Sequence, residues 1–419
     1  MTFPAPRGYS GAGRVVERGS KLQTANMVTT PTKLLLVFGT RPEAIKLAPV
    51  VRALSSQPDF SVHVCVTAQH RFMLDQVLEA FNIHPTYDLD VMRSHQDLAS
   101  LTSAIVAGVS SVIREFRPDW VIVQGDTTTA FVSALAAFYE RTRVAHVEAG
   151  LRTGNKSSPF PEEMNRHLLT GIADLHFAPT RLAKENLLRE GVEANRIRVT
   201  GNTIVDALEL IVTRFNEDPS LTRGLDSKYS FLNPARPLIL VTGHRRESFG
   251  LPLRQVCDAL VELTMRTEAE ILYPAHLNPE VQAAVLDILA PSQAETAEKR
   301  VHVIPPVDYL DFVYLLRRSY MIITDSGGIQ EEAPAIGKPV LVTRENTERP
   351  EGVEAGAAYL VGTDKQRIVS AASRLLYDRK HYDAVSQCRN PYGDGMASVR
   401  IVEALRPPSV TAMNAEFEA

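Results

Sequence analysis

Cysteine is scarce in this chain, with only Cys65, Cys257 and Cys388 among 419 residues. They are far apart, odd in number and without CxxC or Cys/His spacing. That argues against a disulfide framework and a zinc site, and suits a reducing cytoplasm. Charge of one sign is equally scarce. A formal net charge of −4 gives no bulk attraction for nucleic acid, so no such partner is expected. No apolar run approaches the length of a membrane span, and residues 1–32 lack the apolar core of a signal peptide, so no membrane partner is expected. There is no P-loop, GxSxG or HExxH motif. Gly11-Ala12-Gly13 has no strand before it and is a poor dinucleotide fingerprint. Neither a cofactor nor a metal is expected.

What is present is the balance of a globular protein, 44% hydrophobic and 22% charged, with length for two domains. Residues 1–32 read as a disordered extension, or as upstream sequence before a native start at Met27, and residues 407–419 read as a loose tail. From residue 33 short Val/Ile/Leu-rich runs alternate with amphipathic segments, and after Pro234-Ala235-Arg236-Pro237 the alternation restarts. Continuous apolar strands in such an alternation imply parallel sheets covered on both faces. The expected fold is therefore α/β with two doubly wound domains, residues 33–205 and 206–394, and ligands at the carboxyl ends of the strands.

The polar residues of interest fall at those strand ends. Asp325-Ser326-Gly327-Gly328-Ile329-Gln330-Glu331-Glu332 follows the apolar run 320–324. Its Ser-Gly-Gly turn lets a ligand approach the backbone and offers free helix N–H groups to a phosphate, with the two acids placed in the first helical turn. A double acid there suits a nucleotide, one acid taking ribose hydroxyls; an ordinary strand–helix turn with acids favouring the dipole is the other reading. Arg41 and Lys46, in Gly39-Thr40-Arg41-Pro42-Glu43-Ala44-Ile45-Lys46, flank a helix start with Pro42 as its first residue and can both reach an anion. Asp126, in Gln124-Gly125-Asp126-Thr127, is either an N-cap or a site residue. Glu148 leaves an apolar strand. Glu162 and Arg166 share a helix face, as a site pair or as a surface ion pair. His244 sits between Gly243 and Arg245-Arg246, and Arg349 lies in a polar loop after another strand. Asp88-Leu89-Asp90 is a DxD in what reads as an irregular stretch.

Together these stretches closely resemble the non-hydrolysing UDP-N-acetylglucosamine 2-epimerase family. The matches are GTRPEAIKLAP, VTAQHR, QGDTTT, HVEAGLRT, FPEEMNR, VTGNT, TGHRRESFG, PAHLNP, DSGGIQEEAP, TERPEG, VGTDKQRI and NPYGDG, in order from about Lys33 to Leu405. The resemblance implies a GT-B architecture of two Rossmann-like domains around a cleft, with a C-terminal helix (395–406) crossing back to the first domain. It implies a homodimer that interconverts UDP-GlcNAc and UDP-ManNAc. It places Arg41, Lys46, Phe312, Ser326, Gly327, Gly328, Glu332 and Arg349 against the nucleotide, and Asp126, Glu148, Glu162, Arg166 and His244 at the reacting sugar. Gln69, Arg71, Glu163, Arg245 and His276 match a site at which some members bind a second UDP-GlcNAc as activator. Val307 departs from the pattern, standing where some relatives place a polar residue beside the base.

The chemistry narrows the route. The C2 proton of the sugar is not next to a carbonyl, so direct abstraction has no enolate to support it. Loss of UDP from C1 together with the C2 proton gives 2-acetamidoglucal, and UDP then adds back after a proton returns to the other face. Cations and backbone N–H groups serve the leaving diphosphate, and carboxylates serve the oxocarbenium and the proton transfers. A hydrolysing epimerase, a GT-B glycosyltransferase and a non-catalytic UDP-sugar sensor are the rival readings.

Overall fold

Two sheets, in which every strand pairing is parallel, organise the chain in the computed structural model. It describes residues 30–68, 71–93, 96–243, 250–275, 285, 287–289 and 299–406. The first half runs β1 (Thr32–Phe38), α1 (Arg41–Ser55), β2 (Phe60–Val66), α2 (Arg71–Ala80), β3 (Tyr87–Asp88), α3 (Leu98–Phe116), β4 (Trp120–Gln124), α4 (Thr128–Tyr139), β5 (Arg143–Val147), α5 (Glu162–Ile172), β6 (Leu175–Ala178), α6 (Arg181–Arg189) and β7 (Ile197–Val199). Two helices, α7 (Thr203–Glu217) and α8 (Pro219–Lys228), lead to the second half. Its strands are β8 (Leu238–Thr242), β9 (Glu270–Pro274), β10 (Val301–Ile304), β11 (Met321–Thr324), β12 (Val340–Val342) and β13 (Ala358–Leu360), with α9 (Leu251–Arg266) after β8.

The strand orders are β3-β2-β1-β4-β5-β6-β7 and β10-β9-β8-β11-β12-β13. Each reverses direction once, between β1 and β4 and between β8 and β11. Those are the switch points where a doubly wound sheet opens a crevice at its strand ends. Gly39 and Gln124 follow or end the strands at the first, and Gly243 and Asp325 follow them at the second.

Fully buried strand residues such as Leu34, Leu36 and Phe38 have the continuous apolar character that helices on both faces demand. Each contributes about 1.5–3 kcal/mol of burial. One apolar cluster runs from Leu34 and Leu36 through Ile204, Leu208 and Ile211 of α7 to Leu240, Ile322 and Val340. The helix between the sheets is thus part of the core that joins them. The C-terminal helix Ala397–Leu405 returns to α1, burying Ile401, Val402 and Leu405 in that cluster. Asp206 of α7 caps it by accepting from Ala397 N–H at 3.3 Å and Ser398 N–H at 2.7 Å.

Three expectations are corrected. Helix α3, with a mean hydropathy of 1.2 in its best 18-residue window, is long and apolar enough to cross a membrane by length and composition. Ser and Thr interrupt its apolar residues, so no unbroken run marks it. Leu101, Ile105, Val109, Val112, Ile113 and Phe116 of this helix pack into the core, with 33% of the window buried. The DxD segment is not wholly irregular, because Tyr87–Asp88 pairs with Cys65–Val66 as an edge strand. The helix at residue 41 starts at Arg41, with Thr40 as N-cap and Pro42 second.

Candidate active site

At the first switch point, the Thr40-Arg41-Pro42-Glu43 turn is a capping box. Glu43, 1% exposed, accepts from Gly39 N–H at 3.1 Å and Thr40 N–H at 2.8 Å with Oε2. Its Oε1 accepts the Thr127 hydroxyl at 2.7 Å. One buried carboxylate therefore locks the starts of α1 and α4 together. Gly39 is required there, since a Cβ would lie 2.0 Å from Thr67 Oγ1. Asp126 is not the cap of α4. Thr127 takes that role, accepting from Ala130 N–H at 3.0 Å, because it is the last extended residue before the helix and Asp126 lies one position outside it.

Freed from capping, Asp126 Oδ2 accepts from Arg166 Nε at 2.8 Å and lies 2.6 Å from its Nη2. Arg166 Nη1 reaches Glu163 Oε2 at 2.8 Å. The Glu162/Arg166 helix face therefore is not a mutual ion pair: Arg166 turns to Asp126 and Glu163, and Glu162 forms no ion pair among the described residues. Glu163 also accepts from Thr153 and Gly154 N–H groups. Burial would raise its pKa, but the Gly154 N–H, Arg166 and the Thr153 N–H together hold it below the usual range. Beneath this triad His146 Nε2 contacts Gly125 O at 2.7 Å. Burial, then the neighbouring His176, push the His146 pKa down to about 3, so the ring is neutral and the contact is an Nε2–H donating to the carbonyl.

Glu148 has φ of +65°, the left-handed region that a non-glycine residue adopts at a cost of roughly 1–3 kcal/mol. The bend aims its carboxylate at Lys46 Nζ, 2.5 Å away, and at Gln124 Nε2, 2.8 Å away. Burial raises the Glu148 pKa, with Lys46 opposing. Lys46 is held protonated against burial by Glu148 and Glu331.

The second switch point brings the matching half. Helix Gly327–Ala335 follows β11, with Ser326 at its N-cap position and no side-chain capping bond, so its first N–H groups are open to an anion. Glu331 and Glu332 lie in its second turn, not its first, and both are buried. Arg349 donates from Nε to Glu331 Oε1 at 2.7 Å. Its guanidinium rests against Gly327, where a Cβ would stand 2.6 Å from Nη1. Glu332 accepts from the Tyr309 hydroxyl at 3.1 Å. Burial lifts its pKa to about 7, opposed by Tyr309 and, more weakly, by the charges of Lys46 and Arg41. Phe312 stacks on Tyr309 with centroids 6.5 Å apart.

The halves meet through charge. Lys46 Nζ is 3.5 Å from Glu331 Oε2, giving the alternating chain Glu148, Lys46, Glu331, Arg349. Arg71 of α2 is half-exposed and pairs with Asp88 at 2.6 Å and Asp75 at 3.2 Å. Gln69, His244, Arg245 and His276 lie outside the described residues. Among the described residues no cluster of His, Cys, Asp and Glu is arranged to hold a metal ion.

A family model for UDP-N-acetylglucosamine 2-epimerase matches residues 52–406. The chain belongs to that family. The UDP-N-acetylglucosamine 2-epimerase of Escherichia coli K12 is 52% identical over 375 residues, covering 89% of this chain and 98% of that protein. The crystal structure of the Neisseria meningitidis UDP-GlcNAc 2-epimerase bound to UDP-GlcNAc superposes with a TM-score of 0.83 at 44% identity, covering 89% of this chain and 99% of that one. A Staphylococcus aureus structure solved with UDP gives 0.78 at 46% identity, covering 88% and 95%. The two-sheet GT-B architecture is that of the family.

Several residues of this epimerase site escaped the reading of its sequence. Glu43 had a legible signal in the Thr-x-x-Glu spacing of a capping box. Gln124 ends a strand but is not ionisable. Tyr309 comes from a segment with no motif of its own, and Asn202 lies in the matched VTGNT stretch, where its letter alone gave it no role. Glu331 was visible only as half of a double acid.

Proposed function

We propose that this chain interconverts UDP-GlcNAc and UDP-ManNAc by eliminating and re-adding UDP. The observation that carries the reading is the charge chain from Glu148 to Arg349, which joins a carboxylate at the end of β5 to the open helix N-terminus at Gly327. The nucleotide lies in the second domain, with Phe312 beside the base, Glu332 on the ribose hydroxyls and Ser326, Gly327 and Gly328 at the diphosphate. Arg349, Lys46 and Arg41 hold the diphosphate as the C1–O bond breaks and UDP leaves with the bonding pair. A carboxylate base takes the C2 proton, the C1–C2 double bond forms, and 2-acetamidoglucal results. Return of a proton to the other face of C2, with UDP oxygen adding to C1, completes the inversion. Asp126, Glu148 and Glu162 supply the acid and base groups and the charge facing the oxocarbenium, and His244 assists the phosphate or a proton transfer. Arg166 holds Asp126.

The homodimer is part of this proposal. Helices α3 and α4 pack together, and Phe138 and Tyr139 at the end of α4 are exposed neighbours, apolar surface suited to a second copy. Activation by a second UDP-GlcNAc, at a site that includes Arg71 and Glu163, is also proposed.

Product analysis tests the reaction. Purified protein given UDP-GlcNAc alone should yield UDP-ManNAc at a fixed ratio, and the same ratio should be reached from UDP-ManNAc once a trace of UDP-GlcNAc is added. Stoichiometric free UDP would instead identify a hydrolysing enzyme.

A further inference from the structure

Glu331 is a carboxylate in an unexpected place. It is 1% exposed and stands beside a site built for an anion, where a charge of the ligand's own sign opposes binding. Its bonds come from three parts of the chain. Arg349 Nε, from the loop after β12, donates to Oε1 at 2.7 Å. Asn202, the N-cap of the linking helix α7, donates from Nδ2 to Oε2 at 3.1 Å. Lys46 Nζ, from α1, is 3.5 Å from the same oxygen. The Arg349 loop is braced in turn by Tyr392, whose hydroxyl donates to Arg349 O at 3.2 Å, while Tyr392 O accepts from Asn202 N–H at 2.7 Å. A guanidinium fixed through Nε has its plane set, which leaves its Nη edge for a second, directed interaction; Nη1 is 3.9 Å from Glu348 Oε1, an ion-pair distance too long for a hydrogen bond. The close seat of Arg349 on Gly327 puts that Nη edge at the helix N-terminus.

We propose that Glu331 is a positioning residue of the reaction, holding Arg349 and Lys46 in register with the leaving diphosphate and, through Lys46, tying the diphosphate grip of the second sheet to Glu148 of the first. This rests on the reading of the site as a UDP site. Glu331 does not touch the substrate; it acts through the two cations and reports the placement of α7 through Asn202.

Two physical pictures give opposite signs. If Glu331 were only a buried negative charge near an anion, neutralising it would strengthen UDP binding. If it positions, neutralising it weakens binding although repulsion is removed. Calorimetry of UDP binding to the full-length protein and to Glu331→Gln separates them. The expected result is affinity weakened about tenfold or more, the scale of one lost charge-assisted hydrogen bond, with kcat falling by a larger factor than KM rises. Glu331→Asp keeps the charge but shortens the reach, and it should lose affinity too; it decides the matter should the Gln variant not fold. Lys46→Met combined with Glu331→Gln should lose less than the product of the single losses. UDP binding as tight as wild type or tighter, with unchanged kcat, would overturn the inference. Failure of the wild-type protein to bind UDP would instead overturn the reading of the site on which it rests.

Discussion

Tyr309 donates its hydroxyl to Glu332 Oε1 across 3.1 Å, and both side chains are buried. Burial is the largest influence on Glu332 and lifts its pKa to about 7, so the folded protein binds a proton there that the unfolded chain has released above about pH 4.3. The stabilisation from that proton is fully present below the unfolded pKa and is lost as pH rises through 7. Glu332→Gln should therefore make the ligand-free protein more stable at pH 8, by roughly 1–3 kcal/mol, with little change at pH 4.5. The same variant should bind UDP more weakly, because a neutral amide is a poorer acceptor for two ribose hydroxyls. Thermal melts at the two pH values and UDP titration check both halves. Stability and affinity should move in opposite directions.

Arg166 satisfies two carboxylates at once, Asp126 and the fully buried Glu163. Arg166→Met strands a buried charge and should destabilise the fold by about 3 kcal/mol. Arg166→Lys, with one ammonium in place of a fork, should retain part of the stability but little of the turnover, since it cannot hold both partners. Denaturant unfolding beside steady-state kinetics reads this. A Lys variant with near-normal kcat would remove the positioning of Asp126 from the mechanism.

Glu148 combines a left-handed backbone with a candidate chemical role. Glycine adopts that conformation freely, so Glu148→Gly should be more stable than Glu148→Ala by about 1 kcal/mol. Both should lose turnover by at least about a hundredfold, the lower end of what a general acid or base supplies. Equal stability of the two variants would show that the backbone is not strained at this position.

The two-sheet architecture was legible because parallel strands buried on both faces are written as unbroken apolar runs, such as 34–38 and 321–324. The strand-end rule then located Glu148, Asp126 and the Ser326–Gly328 turn. Short pairings were not legible: Tyr87–Asp88 owes its strand to a neighbour rather than to its own pattern. The partner of each charge was also hidden. Asp126 carries the same letter whether it caps α4 or takes Arg166, and only the competing hydroxyl of Thr127 decides. Glu331 and Glu332 are adjacent letters, yet one meets Arg349 and the other Tyr309, because successive residues on a helix point about 100° apart.

The central claim is that the C2 proton leaves together with UDP. NMR of UDP-GlcNAc incubated with the protein in deuterated water tests it most directly. The account predicts that deuterium appears at C2 of both UDP-ManNAc and recovered UDP-GlcNAc as epimerisation proceeds. Epimerisation with the original proton retained at C2 would contradict it.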